Sequence, residues 1–423
     1  MRSHALLDEL RWRGLLYQHT DEVAELLASG PTSGYIGFDP TAPSLHIGSL
    51  LVIMLLVRLQ QSGHKPVALV GGGTGLIGDP SGKATERPLA DTAQVEANTA
   101  RIRRQLEHFL DFTGVAGARV VNNVEWLGEL KAVDFMRDVG KHFTVNYMLQ
   151  KDAVKGRMDA GISYTEFSYM LLQAYDFLEL RRRYDVRLQM GGSDQWGNIT
   201  AGIELIRRTL GTDAHAITSP LVTTSSGTKF GKTEAGAVWL DPNLTSPYQF
   251  YQFWINVDDR DVGRYLRYFT MLSRAEIDAL DRATAERPQA REAQVALARD
   301  VTRRVHGDAL GAVEEATGAL FGGSVLGISE VAFEVLRNEI PHVTIPGGEP
   351  LTVGRVVDAL AGPGTLFESK KDAKRSIQQG GFYLNQQRVA PDENAIDDAQ
   401  LLHGRFLLVR KGARNYALVE VTR

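Results

Sequence analysis

Gly34-Tyr35-Ile36-Gly37-Phe38, the connector Asp39-Pro40-Thr41-Ala42-Pro43-Ser44-Leu45-His46-Ile47-Gly48-Ser49, the apolar run on to Gln61, and Pro66-Val67-Ala68-Leu69-Val70 decide the fold. The first five residues form a short strand. Leu45 to Gln61 predicts a long apolar helix, and Gly63 stops it. Pro66 to Val70 is an unbroken apolar run, the texture of a strand buried on both faces of a parallel sheet. Strand, helix and strand together make a βαβ unit.

Working outward, the alternation continues. Gly71 to Pro88 is rich in breakers and predicts a loop. Asp91 is a candidate N-cap for a helix reaching about Asp111. Ala118 to Asn122 predicts a strand, 164–180 an apolar helix, Val186 to Met190 a strand, and Asn198 to Leu210 a helix. This order predicts an α/β fold, a Rossmann-like parallel sheet with helices on both faces, over residues 1–220. Past Pro220 the texture changes. Residues 221–245 contain a Gly/Ser/Thr-rich loop. Residues 246–322 read as helical, with a capping box at Ser273-x-x-Glu276. Residues 323–350 read as a linker around one short helix. Residues 351–423 begin helical and end in short strands, a small α+β block.

The chain has 423 residues, 43% apolar and 23% charged, which suits a globular protein of two to three domains. It contains no cysteine. Disulfides, thiolate nucleophiles, iron–sulfur clusters and cysteine-type zinc sites are excluded together. The longest purely apolar run, Leu50 to Val57, has eight residues, against about 20 for a membrane span. Asp8 and Glu9 come early and no apolar signal core follows, so a cytoplasmic protein is expected. Net charge is −4. Residues 351–423 hold 11 Lys/Arg against 8 Asp/Glu, a net of +3, while the rest of the chain carries −7. A basic tail on an acidic body points to a polyanion partner.

Three segments come close to phosphate-binding motifs. Gly73-Thr74-Gly75-Leu76-Ile77-Gly78 matches G-x-G-x-x-G after a strand. A dinucleotide site needs a helix to start at once, and Asp79-Pro80-Ser81-Gly82 intervenes. A nicotinamide-dependent oxidoreductase is therefore disfavoured. Gly227-Thr228-Lys229-Phe230-Gly231-Lys232-Thr233 resembles a P-loop one residue short, and no apolar helix follows. Two lysines on a Gly-bearing loop remain. They read as a solvated loop or as a clamp on phosphate charge. His46 and Gly48 lie at the mouth of the first crossover, in the first turn of the helix, where free N–H groups and the helix dipole favour an anion. A lone histidine is more often structural, but this position is the expected ligand crevice of the architecture.

Tyr169, Gln173 and Asp176 are spaced i, i+4, i+7 on one face of the 164–180 helix. Met170, Leu171, Leu172, Phe177 and Leu178 surround them, so the face should be buried. A buried amide and carboxylate need partners. The sequence leaves two readings equal: an internal polar network, or a pocket for a small polar ligand.

In this order and spacing, these segments resemble tyrosyl-tRNA synthetases of the bacterial type over essentially the whole chain. The first class of aminoacyl-tRNA synthetases carries a His-Ile-Gly-His signature and a later Lys-Met-Ser-Lys-Ser signature. Here they read His46-Ile47-Gly48-Ser49 and Lys229-Phe230-Gly231-Lys232-Thr233. Tyr35 with Gly37-Phe38-Asp39-Pro40-Thr41, the run Gly75 to Lys83, and Gly191-Gly192-Ser193-Asp194-Gln195-Trp196-Gly197-Asn198 fit the same family. Ser49 is the departure, standing where the second signature histidine belongs.

The resemblance implies roles. Tyr35 and Asp176 would hold the phenolic hydroxyl of substrate tyrosine, while Tyr169, Gln173 and Asp79 would bind its ammonium group. Gln195 would lie near its carboxylate. Asp39, Gly192 and Asp194 would line the adenosine and ribose site, with Leu221 and Val222 beside the adenine. Thr41, His46, Lys229 and Lys232 would contact the ATP phosphates, supported by Lys83 and Arg87, with Gly48, Ser49 and Thr233 in the same ATP site. Magnesium would arrive with ATP, since the sequence offers no dedicated ligand cluster. The second substrate would be tRNA(Tyr) and the assembly a homodimer. Residues 221–245 would be the signature-loop linker, 246–322 an anticodon-arm domain, and 351–423 an RNA-binding domain like that of ribosomal protein S-four. Lys370, Lys371, Lys374 and Arg375 would form its basic helix. Asn385-Gln386 replaces the family's Asn-Gly, which predicts a different turn. The rival readings are a tryptophan-specific relative and an RNA-binding protein, such as a splicing factor, that has lost catalysis.

Overall fold

A computed structural model describes residues 5–81, 90–158, 161–225, 230–233, 236–392 and 394–422, with the backbone alone at 5, 232 and 233. The chain forms two compact units, residues 1–245 with 253–305, and residues 246–252 with 306–423.

The first unit is built on β1 (Gln18–His19), β2 (Ser33–Phe38), β3 (Lys65–Val70), β4 (Arg119–Asn122), β5 (Val186–Gly192) and β6 (His215–Ser219). The sheet order is β1-β6-β5-β2-β3-β4. Every neighbouring pair is parallel except β1 with β6. The chain lays down β2, β3 and β4 outward, then returns to place β5 on the other side of β2. That reversal is the topological switch point, where a crevice opens beyond the carboxyl ends of the strands. β6 is fully buried yet reads His-Ala-Ile-Thr-Ser. Its polar side chains hide it from an apolar-run criterion.

Helix Ile47–Gln61 is buried at ten positions, so it shows little amphipathic contrast. It begins two residues later than the apolar pattern suggests. His46 is its N-cap, with extended backbone, rather than a residue of the first turn. Helix Thr92–Phe109 starts at the Asp91 cap. Helix Tyr164–Tyr184 starts at Ser163, whose hydroxyl accepts the Glu166 N–H at 3.2 Å. It runs past 180 because Arg181, Arg182 and Arg183 suit the negative end of the helix dipole, and Arg182 and Arg183 pair with Glu179. The capping box at Ser273 and Glu276 is present. After β3 there is only the short turn Thr74–Leu76, and the next helix among the described residues begins at Thr92. β7 (Lys232–Thr233) pairs antiparallel with β8 (Gly236–Ala237), a hairpin where a P-loop would start its helix.

The second unit carries β9 (His342–Pro346), β10 (Phe382–Leu384), β11 (Gln387–Arg388), β12 (Phe406–Lys411) and β13 (Asn415–Thr422), in the order β11-β10-β12-β13-β9. β9 lies in the stretch read as a linker, and it pairs parallel with β13. Helix Glu330–Glu339 in the same stretch buries Phe333 and Leu336 in a cluster with Phe406 and Leu418. Asn385 and Gln386 both have left-handed backbone, φ 48° and 67°. That is the type I′ pattern an Asn-Gly turn takes, so the expected change of turn does not occur. Left-handed backbone at Gln386 costs about 1–2 kcal/mol. Its amide offsets this by donating to the carbonyls of Ala319, at 3.2 Å, and Gly323.

Candidate active site

A cavity of about 670 Å³ opens at the switch point, beyond the ends of β2 and β5. Every candidate residue with a described side chain in the first unit lines it. The first crossover contributes Tyr35, Asp39, Thr41, His46, Gly48 and Ser49. The Gly-rich loop contributes Asp79, and the long helix contributes Tyr169, Gln173 and Asp176. Gly192, Asp194 and Gln195 come from the end of β5, and Leu221 and Val222 follow β6. Lys83, Arg87 and Lys229 lie outside the described residues. For Lys232 and Thr233 only the backbone is described, in β7, and Phe230 beside them reaches the cavity lining.

Asp176 forms the floor. It is 2% exposed. The Trp126 indole N–H donates to its Oδ1 at 2.7 Å and the Asn123 amide to its Oδ2 at 2.9 Å. Desolvation pushes its carboxyl up to about 8, against the lowering effect of those two donors. The Tyr35 hydroxyl is fully buried and has no hydrogen-bond partner among the described residues. Burial, then the Asp176 charge, raises its pKa well above the ordinary phenol range. A buried hydroxyl left unpaired costs about 1–3 kcal/mol, which a ligand atom in the cavity would recover. Trp126→Phe removes one donor from Asp176 and pushes its pKa higher still. We expect a stability loss of about 2 kcal/mol at pH 9, where the carboxylate is ionised, and less at pH 6. Urea denaturation at the two pH values is the check.

A second network sets the walls. The Tyr169 hydroxyl donates to Asp39 Oδ2 at 2.7 Å, and Thr74 donates to Asp39 Oδ1 at 2.7 Å. Gly71 permits this pairing, because a Cβ there would lie 2.1 Å from Asp39 Oδ1. Gln195 donates to Asp79 Oδ2 at 2.7 Å. The Asn198 amide donates to Gln173 Oε1 at 3.0 Å and more weakly to Gln195 Oε1 at 3.3 Å. Tyr169, Gln173 and Asp176 thus belong to an internal polar network, and the same three residues line the cavity. Asn123, Trp126, Thr74 and Asn198 are functional neighbours that sequence reasoning did not assign. Asn123 and Trp126 follow β4 in no recognisable motif, so only the sheet brings them to Asp176.

At the mouth, Gly48 N–H donates to His46 Nδ1 at 2.9 Å. Nδ1 is thus an acceptor, and the neutral ring carries its proton on Nε2. A Cβ on Gly48 would sit 2.7 Å from the imidazole Cε1. The room that Gly48 makes is taken first by the His46 ring. Burial depth falls toward this end: Leu221 is 54% exposed.

In the second unit, Ser369 caps helix Lys370–Gln378. Lys370, Lys371, Lys374 and Arg375 are all exposed. Lys370 pairs with Asp358 at 2.8 Å and Arg375 with Asp372 at 3.1 Å. Among the described residues there is no cluster of three or more His, Cys, Asp or Glu that could hold a metal ion, and no helix is long and apolar enough to cross a membrane.

Comparison with known proteins fits this geometry. Residues 28–322 match the model for class I tRNA synthetases of tryptophan and tyrosine, and residues 332–419 match the C-terminal domain of tyrosine–tRNA ligases. The tyrosine–tRNA ligase of Roseiflexus castenholzii is 55% identical over 98% of this chain and 99% of its own length. That of Bacillus caldotenax is 52% identical over the same shares. A crystal structure of a C-terminally truncated Coccidioides posadasii mitochondrial tyrosyl-tRNA synthetase superposes with a TM-score of 0.64 at 34% identity, covering 73% of this chain and 90% of that one. A parallel sheet with a switch-point cavity, a signature histidine at its mouth, and kinship along nearly the whole length agree: the chain belongs to the class I tRNA synthetases of tryptophan and tyrosine, among the bacterial-type tyrosine–tRNA ligases.

Proposed function

We propose that this chain activates L-tyrosine with ATP and transfers the tyrosyl group to the 3′ end of tRNA(Tyr). The observation that carries the substrate is the buried Tyr35 hydroxyl, without a partner among the described residues, beside Asp176 on the cavity floor. A phenolic hydroxyl both donates and accepts, so it can pair with the Tyr35 hydroxyl and Asp176 together, whereas phenylalanine would leave the Tyr35 hydroxyl unpaired and make no bond to Asp176. An indole N–H only donates, which disfavours tryptophan. A splicing factor without catalysis is disfavoured by the intact His46 and by the ligases at 52–55% identity.

Adenylate formation needs no general base. A tyrosine carboxylate oxygen, already ionised at pH 7, attacks the ATP α-phosphorus. The bond to the β-phosphate bridge breaks and pyrophosphate leaves. A terminal ribose hydroxyl of the tRNA then attacks the acyl carbon, AMP leaves, and the hydroxyl proton passes to the departing phosphate or to water. Catalysis is positioning plus stabilisation of the charge gathering on phosphate oxygens. Tyr35 and Asp176 hold the phenol, Tyr169, Gln173 and Asp79 the ammonium group, and Gln195 the carboxylate. Asp39, Gly192 and Asp194 serve the ribose, with Leu221 and Val222 against adenine. Thr41, His46, Gly48, Ser49, Lys229, Lys232 and Thr233 serve the phosphates, with Lys83 and Arg87 in support. Magnesium enters as the counter-ion of the ATP substrate.

For the RNA we propose residues 246–322 toward the anticodon arm and the basic face of 351–423 toward the backbone. Charge reversal of Lys370, Lys371, Lys374 and Arg375 to Glu should leave ATP–pyrophosphate exchange unchanged and weaken tRNA charging. It should also flatten the salt dependence of tRNA binding. Filter binding across a salt series is the measurement. A homodimer is supported by Val133, Met136, Val145, Met158 and Tyr164, all more than half exposed within one short stretch of the first unit. A cytoplasmic setting follows from the reaction's substrates. The deciding experiment is ATP–pyrophosphate exchange without RNA, with tyrosine, phenylalanine and tryptophan compared. Exchange with tyrosine alone supports the reading; exchange with tryptophan overturns the pocket assignment.

A further inference from the structure

The segment carrying the two signature lysines lies between two described roots in the first unit, Thr223–Ser225 before it and Val238–Asp241 after it. Both roots are tied by side chains that lie outside the cavity lining. The first root is Thr223–Ser225. Asp261, 4% exposed near the start of helix Asp259–Phe269, accepts the Ser225 N–H at 2.9 and 3.1 Å and the Ser225 hydroxyl at 3.0 Å. Arg264 donates to the same carboxylate at 2.7 Å and to the Thr223 carbonyl at 2.6 Å, where the Tyr265 hydroxyl also donates at 3.1 Å. The far end of that helix is fixed as well. Arg58, buried in helix Ile47–Gln61, donates to the carbonyls of Tyr268 at 3.1 Å and Thr270 at 2.9 Å. The helix that begins beside His46 therefore holds the platform that holds the first root.

The second root is Val238–Asp241. Ile47 N–H donates to the Val238 carbonyl at 3.0 Å, and Leu240 N–H to the Leu45 carbonyl at 2.9 Å. His46 and Trp239 form a backbone bridge between them. One side chain fixes this junction. Gln105, from helix Thr92–Phe109, accepts the Leu45 N–H at 2.9 Å and donates to Ser44 Oγ at 2.8 Å. Ser44, 3% exposed, donates to the Leu45 carbonyl at 2.7 Å and accepts the Asp241 N–H at 3.2 Å. Gln105 thus touches the connector before His46 directly and the second root through one hydroxyl.

We propose that Asp261 and Gln105 are positioning residues for the phosphate half of the reaction. They fix where the lysine segment begins and ends relative to His46, and neither acts on the amino-acid half. The proposal rests on the phosphate role given above to that segment. Asparagine at 261 has one acceptor oxygen, and its amide would face the Ser225 or Arg264 donors. Leucine at 105 fills a similar volume and makes neither bond.

The test uses the full chain with Asp261→Asn, Gln105→Leu and, in parallel, Lys232→Ala. Exchange turnover should fall by roughly a hundredfold in the first two, the scale of a small misplacement of reacting groups. Tyrosine affinity by equilibrium dialysis should stay at the wild-type value. Hydrogen exchange should quicken at the Ser225 amide in Asp261→Asn and at the Leu45 amide in Gln105→Leu. Ser225→Ala, which removes the hydroxyl bond alone, keeps the test open if Asp261→Asn does not fold. Tyrosine affinity falling in step with turnover overturns the proposal. Turnover lost in Lys232→Ala but kept in the other two overturns the positioning role alone. Turnover that survives Lys232→Ala overturns the phosphate reading and, with it, the positioning role.

Discussion

Asp176→Asn should lower kcat/KM for tyrosine in ATP–pyrophosphate exchange by about a hundredfold, near the upper end of the cost of leaving a buried hydroxyl without its partner. The phenylalanine rate should barely move, so selectivity contracts from the tyrosine side. The same variant should become relatively more stable as pH rises. In the folded chain Asp176 keeps its proton up to about pH 8. An unfolded aspartate loses it near pH 4. Between those values the folded state binds more protons, so this group's contribution to stability is complete below the lower value and lost as pH rises through the upper. Asparagine does not titrate. The Tm of Asp176→Asn minus that of the wild type should therefore grow from pH 6 to pH 9. A flat difference would show that Asp176 is ionised throughout. An unchanged tyrosine kcat/KM would remove the hydroxyl from the recognition scheme.

His46→Asn separates two roles that His46→Ala would confuse. The imidazole Nδ1 caps the helix by accepting the Gly48 N–H. In the proposed function the opposite nitrogen, Nε2, is the group that would donate to a phosphate oxygen. Asparagine is a good N-cap and should keep the helix start intact, while alanine should cost about 1 kcal/mol. Neither can place an N–H where Nε2 lies. Both should lose exchange turnover by about a hundred- to a thousandfold, the cost of one transition-state donor. Tyrosine affinity should be unchanged in both. If His46→Asn keeps wild-type turnover, the histidine is only a cap.

Two features of the neighbourhood bear on this result. Ser49, in place of a second signature histidine, lines the same cavity. Its reach is shorter than a histidine's, so under the proposed function more of the phosphate contact would fall to His46 and the lysine segment. His46 is also bridged to Trp239. A defect in the second root and a defect in the histidine should therefore be less than additive when combined, as neighbours in one network are.

Much of this protein can be read from its chain. The βαβ unit at 33–70 is legible because the buried strand Pro66–Val70 and the Leu50–Val57 run of its crossover helix are each apolar without interruption. The 169/173/176 stripe is legible because helical spacing alone puts three polar groups on one face. The signature segments are legible because their order and spacing are specific to one family. β6 escapes, since its polar residues are satisfied by neighbours far away in sequence. β9 escapes for a related reason: it pairs with β13, about seventy residues onward, and sits among the glycines and prolines that mark linkers. The Asn385-Gln386 turn shows a local rule overridden, because Gln386 anchors itself to the carbonyls of Ala319 and Gly323.

The sequence by itself determined the fold class, the family and the residues that meet in the cavity, because periodicity, breakers and motif order are local properties of a chain. Only the tertiary structure decided what state those residues are in. Asp176 has an ordinary side chain, and its raised pKa comes from being sealed beneath Trp126 and Asn123. Tyr35 has an ordinary hydroxyl, and its lack of a partner among the described residues comes from the walls around it. Asp261 and Gln105 have no motif, and their grip on the lysine segment comes from helices brought to its two ends. Desolvation and hydrogen-bond geometry are set by neighbours distant in sequence, and no local pattern encodes them.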